Sequence, residues 1–227
     1  MTSLYKSLPF DPIESFEKIG LVTEVPMTIV GKVDLAPTDL KSLVAYIRER
    51  PDRLNYAHSG LGSVAHLCGL MLMSATNTKM TVVPYKGGGE VMKDLLAGQI
   101  DVYCEPATGT TSNIQAGKIK AYAVTTKRRV ATLPDVPTTA EAGFPEIGIT
   151  TWYALYAPQG TPGPIVGRLA TALQAAVIDN NVVSRFAPLS MEPVSRDQAT
   201  PTALDTKLRS ETGYWTKLLK EAGVQPE

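Results

Sequence analysis

The stretch LNYAHSGLGSVAHLCGLMLMSAT (residues 54–76), continued by MTVVPYKGGGEVMKDLLAGQIDVYCE (80–105), decides the fold. LNYAH (54–58) reads as a strand, SGLG as a turn and SVAHLCGLMLMSAT as a helix. MTVVPY (80–85) is the next strand, KGGG a loop, and EVMKDLLAG a helix closed by Gly98. IDVYCE (100–105) follows as a strand, then a helix TTSNIQAGK ending at Gly117, then a strand IKAYAVTT (119–126). A strand–loop–helix unit repeated in this way predicts parallel strands with helices packed on the sheet faces. Ligands of such sheets bind outside the carboxyl ends of the strands, on loops leading into helices. Two of those loops are glycine-rich here.

Upstream, LVTEVPMTIVG (21–31) is apolar and β-prone, with Pro26 marking a break or an edge. Thr38 is expected to cap a helix through LKSLVAYIRER, stopped by Pro51, with Leu40, Leu43, Val44 and Ile47 on one face. Downstream, LPDVPTTAEAGFPE (133–146) is proline-rich, with a short helix expected around Thr139–Ala142. ITTWYALYAPQG (149–160) reads as an aromatic strand. Pro162 or Pro164 opens a helix through IVGRLATALQAAVID, stopped by Asn180-Asn181. A last helix covers Leu204–Ala222, with Leu208, Tyr214, Trp215, Leu218 and Leu219 as its apolar side.

Composition narrows the classes. In 227 residues, hydrophobic types make 44% and charged types 19%, with 22 Lys+Arg against 22 Asp+Glu. That is a folded chain rather than a disordered one. A zero net charge argues against a phosphate-tracking nucleic-acid binder, and Lys127-Arg128-Arg129 is too short a basic run to change that. No apolar stretch is long enough to span a bilayer. The start, MTSLYKSLPFDP, lacks the pattern of a signal peptide, which by itself points to the cytoplasm. Cys68 and Cys104 form neither a disulfide framework nor a metal motif, so buried apolar cysteines are the plain expectation.

The loop SGLGSVAH (59–66) holds Gly60-x-Gly62-x-x-Ala65 between a strand and a helix, where a dinucleotide fingerprint would stand. The acidic partner such a site needs is absent between Asp52 and Glu90, so no cofactor is expected. What remains is an anion-suited loop or a tight turn with nothing bound: glycines that admit a ligand to the backbone, the Ser63 hydroxyl, and free N–H groups at a helix start. KGGG (86–89) repeats the theme without being a phosphate-binding loop. His58 and His66 fit no zinc spacing and flank no nucleophile, so His66 is expected to cap or to touch ligand rather than to catalyse. Glu105 ends its strand at the same edge, either as a solvated carboxylate or as a partner for a cation or hydroxyl on a ligand. With no complete nucleophile, metal or redox constellation, a binder is favoured over an enzyme.

At these residues the chain resembles the substrate-binding receptors of tripartite tricarboxylate transporters, the Bug-type periplasmic receptors. The matching stretches are SLYKSLPFDP (3–12), LNYAHSGLGSVAHL (54–67), VVPYKGGG (82–89), LLAGQIDV (95–102), AGKIKAYAVTT (116–126), LPDVPTTAEAGFP (133–145), the W-Y-ALYAPQGTP segment (152–162) and the closing WTKLLKEAGVQPE. VPYKG together with LPDVPTxAEAG is highly specific. The resemblance implies an α/β fold of periplasmic-binding-protein type II, two α/β lobes with a ligand cleft. Residues 27–125 would be the second lobe, and 1–26 with 126–227 an incomplete first lobe. It implies a non-enzymatic receptor for a small organic carboxylate, a di- or tricarboxylate or an aromatic acid, that feeds membrane transporter subunits in the periplasm. A small-molecule enzyme using the same cleft, or a non-binding fragment or interaction module, are the alternatives. Carried over, the ligand-binding residues are Ser59, Gly60, Gly62, Ser63 and His66, with Tyr85 and Lys86 in the next loop and Glu105 where the family usually has Asp. Leu61 stands where a polar residue is common. The family's leading signal peptide, first strand and Pro-Gly-Gly loop have no counterpart in this sequence, so the expectation is an N-terminally truncated or mis-started chain, or a member without that half of the clamp.

Overall fold

Seven strands and seven α-helices run along the described residues, 9–221, seen in a computed structural model. They are β1 (Phe16–Lys32), α1 (Leu40–Glu49), β2 (Asn55–His58), α2 (Val64–Thr76), β3 (Thr81–Pro84), α3 (Gly88–Leu96), β4 (Val102–Pro106), α4 (Ala107–Gln115), β5 (Ile119–Val124), β6 (Thr150–Pro158), α5 (Gly163–Ala176), α6 (Asn180–Phe186), β7 (Glu192–Pro193) and α7 (Pro201–Glu221). The opening stretch 1–8 and the expected helix end at Ala222 lie outside the described residues. By its contacts the chain forms two units, Val25–Thr151 and the residues on either side of it.

In the unit Val25–Thr151 the strand order is β3-β2-β4-β1-β5. β2 is parallel to β3 and to β4, with Tyr56 opposite Val82 on one side and Val102 on the other. The expected parallel series stops there. β1 inserts between β4 and β5 and runs antiparallel to both, pairing Ile29 with Cys104 and Ala123. Pro26 does not break β1. It falls where the partners change, between Glu24 on β7 and Met27 on β4.

α1 buries Leu40, Leu43, Val44 and Ile47 as expected, but its cap is Asp39 rather than Thr38. The Asp39 carboxylate accepts the Ser42 N–H at 2.7 Å while Ser42 Oγ accepts the Asp39 N–H at 3.1 Å, a reciprocal pair that Thr38 is one residue too early to make. Residues 126–151, read from sequence with the other lobe, pack in this unit. Thr139 N–H bonds Val124 O at 2.9 Å, Thr125 Oγ1 bonds Ile149 O, and Val130, Leu133 and Val136 cluster on Val124. The expected helix at Thr139–Ala142 is a single turn. Thr138 and Glu141 cap each other, and Gly143, at φ 93°, ends it at once.

Cys68 on α2 and Cys104 on β4 form a disulfide, which corrects the expectation of two free buried cysteines. Sequence spacing does not show that the parallel β2–β4 pairing lays α2 across β4. Gly69, one residue on, permits the packing: a Cβ there would stand 2.2 Å from the ring of the fully buried Tyr56.

The other unit packs α5 and α7 on the first half of β1 around Ile19, Leu21, Leu173, Val177, Val194 and Leu204. Asn180-Asn181 does not simply stop α5; Asp179 accepts the Asn181 and Val182 N–H groups and starts α6. On α7, Tyr214 is exposed and leans edge-on against Trp215, off the face that buries Leu204 and Leu219.

Candidate functional site

The parallel strands β3, β2 and β4 end along one edge, and each runs into a helix there. β2 leads through residues 59–63 to α2, β3 through residues 85–87 to α3, and β4 directly into α4. Three helix starts, with their unpaired N–H groups and partial positive charge, therefore share one sheet edge. All eight sequence-predicted site residues lie at it.

The loop 59–63 is shaped by glycines and held by two histidines. Gly60 and Gly62 sit at φ 120° and 71°, where a side chain is strained. Gly60 N–H donates to His58 Nδ1 at 3.2 Å, and Gly62 N–H donates to His66 Nδ1 at 3.1 Å. Ser63 caps α2, accepting the His66 N–H at 3.2 Å. Both imidazoles are buried, with ring centroids 4.5 Å apart. An Nδ1 that accepts leaves the proton of a neutral ring on Nε2. Burial lowers the His58 pKa, and burial with the neighbouring His58 pushes His66 down to about 4, so both are neutral near pH 7. His58, read from sequence as a strand-end side chain, is thus one of the two holders of the loop.

Glu105 closes the other side. Its Oε2 accepts the Tyr103 hydroxyl, and Ser59, at the end of β2, lies beside the same hydroxyl and opposes the rise in its pKa. Burial raises the Glu105 pKa, opposed by the Tyr103 bond; burial and then Glu105 raise that of Tyr103. Behind Glu105, Thr28 Oγ1 donates to its carbonyl at 3.0 Å and meets Thr110 Oγ1 at 2.8 Å, tying β1 and α4 to the end of β4. Tyr103 was missed from sequence, although it stands two residues before Glu105 on a strand and so shares its face.

In the second loop, Tyr85 donates its hydroxyl to Asp94 Oδ2 at 2.7 Å, so that group is turned to its own helix and not to loop 59–63. Lys86 is exposed and joins no ion pair among the described residues. The KGGG loop is shorter than expected, because Gly88 already opens α3 with Gly87 as its cap. A Cβ on Gly60, Gly87 or Gly89 would meet nothing within 4 Å, so open space lies over all three. Among the described residues no group of three or more His, Cys, Asp or Glu side chains could hold a metal ion. No helix among them is long and apolar enough to cross a membrane.

The family described as tripartite tricarboxylate transporter family receptor matches residues 1–223. A relative in Agrobacterium vitis, the UPF0065 protein in the TAR-I ttuE-ttuC' intergenic region, is 47% identical over 221 residues, 97% of this chain and 64% of its own length. The chain thus spans less than two thirds of that relative. The solved periplasmic binding protein BugD is similar at 41% identity and a TM-score of 0.89, over 99% of this chain and 75% of that one. Rpa4515 of R. palustris, solved with adipate, is similar at 30% identity and a TM-score of 0.90, over 99% of this chain and 74% of that one. The α/β periplasmic-binding-protein fold implied by the sequence is therefore the fold of these relatives, and the chain belongs to the tripartite tricarboxylate transporter receptor family.

Proposed function

We propose that this chain is the ligand-binding part of a solute receptor for a small organic carboxylate, a di- or tricarboxylate or an aromatic acid, that hands it to the membrane subunits of a tripartite transporter. The observation that carries the reading is the shared edge of α2, α3 and α4, with glycine loops that leave open space over Gly60, Gly87 and Gly89. N–H groups at helix starts hold a carboxylate without a cationic side chain, and the adipate bound by the similar R. palustris protein belongs to this ligand class. Binding without turnover fits the two imidazoles, whose Nδ1 atoms are committed to glycine N–H groups. The Cys68–Cys104 disulfide suits an oxidising compartment such as the periplasm.

Calorimetric titration with succinate, glutarate, adipate, citrate and benzoate tests the reading. Saturable one-to-one binding of at least one acid, with the acid recovered unchanged, is expected. Absence of binding by every acid refutes the carboxylate assignment. Conversion of an acid that is lost on changing His66 or Glu105 refutes the non-enzymatic one.

A further inference from the structure

An edge suited to an anion carries a carboxylate of the protein's own. Glu105 is only partly exposed and belongs to no ion pair among the described residues. Its Oε2 is committed to the hydroxyl of the fully buried Tyr103. Its Oε1 accepts no hydrogen bond from any described residue. That oxygen lies between the first turns of α3 and α4. A Cβ on Gly88 would come within 2.9 Å of it, and a Cβ on Gly109 within 3.2 Å. Both neighbours are glycines, so the carboxyl group fits between two helix starts where any larger residue would press on it. The result is a fixed acceptor with one oxygen satisfied and the other in want of a donor.

We infer that Glu105 is a specificity-determining residue whose free Oε1 accepts an N–H or O–H donor of the ligand, so that the receptor takes amino- or hydroxy-substituted acids in preference to plain ones. The inference rests on the carboxylate reading of the same edge. A plain carboxylate facing Glu105 meets a like charge, which disfavours the ionised pair. Burial adds to the cost of a second charge beside Glu105, whereas a donor on the ligand satisfies the ionised Oε1 with no proton taken up. An unmatched acceptor in a partly dry site discriminates strongly, because the analogue lacking the donor leaves it unpaired. A hydroxyl donating to the carboxylate makes a charge-assisted bond, and an ammonium adds an ion pair to it.

The test is calorimetric titration of the protein and its Glu105→Leu and Glu105→Gln variants with succinate, malate and aspartate, which share a four-carbon diacid skeleton. Benzoate and its hydroxy and amino derivatives form a second matched set. In at least one set, the protein is expected to bind a substituted acid at least about tenfold more tightly than the plain one, a gap of about 1.4 kcal/mol. Glu105→Leu should bring the ratio to within about twofold while still binding the plain acid. Glu105→Gln should lose a preference for the amino acid but keep one for the hydroxy acid, which separates the two donors and carries the test if Glu105→Leu fails to fold. Plain acids bound as tightly as their derivatives, or a preference unchanged in the variants, overturn the role of Glu105 and leave the carboxylate reading standing. If no acid of any kind binds, that reading falls and the inference with it.

Discussion

Opening the Cys68–Cys104 bond removes the covalent tie between the helix that starts at loop 59–63 and the strand that carries Glu105. The bond closes a loop of sequence separation 36. The chain-entropy relation gives about 13 cal/mol/K for such a loop, or about 3.8 kcal/mol at 25 °C. Both cysteines are fully buried, and in the reduced state their sulfurs stay as packing atoms, so the loss is chiefly the freedom regained by the unfolded chain. For a chain of this size 1 kcal/mol moves the melting temperature by about 2–4 °C, so reduction should lower it by about 8–15 °C. The assay compares calorimetric melts of the oxidised protein with those of protein unfolded, reduced and refolded, with thiols counted after alkylation. A fully reduced sample with two free thiols that melts within about 2 °C of the oxidised one refutes the reasoning.

Gly87→Ala adds a methyl where the backbone is extended, at φ −170°, and no protein atom lies within 4 Å. It should leave stability equal or raise it by about 0.4–1 kcal/mol, yet weaken acid binding by about 5–150-fold if ligand fills that space; unchanged affinity by titration contradicts the placement. Gly69→Ala should lower the urea-unfolding free energy by about 1–3 kcal/mol despite better helix propensity, since the new Cβ meets the Tyr56 ring, itself anchored through a 2.5 Å bond to Ala65 O; an unchanged urea midpoint counts against it. His66 titrates near 6.5 when unfolded and at about 4 when folded, so between those values the unfolded chain holds more protons and stability rises with pH. Its contribution, about 3 kcal/mol, is complete above about pH 6.5 and lost as pH falls toward about 4. The melting temperature of His66→Asn should depend less on pH in that window than that of the unaltered protein, and parallel curves contradict the assignment.

The elements were legible in the sequence where their causes are local. The Leu40–Ile47 face and the helix stops at Gly98 and Gly117, at φ 75° and 65°, each depend on a few adjacent residues. The parallel run of β3, β2 and β4 was legible too, but the insertion of β1 was not. The strand–helix alternation is the same whether β5 lies beside β4 or β1 inserts between them, and β1 arrives from the other unit. The same holds for the disulfide and for the packing of 126–151 on Val124, contacts made across long separations. At the candidate site the glycine loops were visible as composition. The approach of Ser59 to Tyr103 needed the β2–β4 pairing to bring the two strand ends together. The bond from the Tyr85 hydroxyl to Asp94, nine residues on, was likewise not legible in the sequence.

The central claim is that one sheet edge of the Val25–Thr151 unit holds a carboxylate through backbone N–H groups. Nitrogen-15 amide spectra recorded while an organic acid is titrated in test it most directly. The expected result is saturable movement of the Gly87, Gly88 and Gly89 amides at the start of α3, with a common dissociation constant. Saturable binding that leaves those amides in place and moves others instead would contradict it.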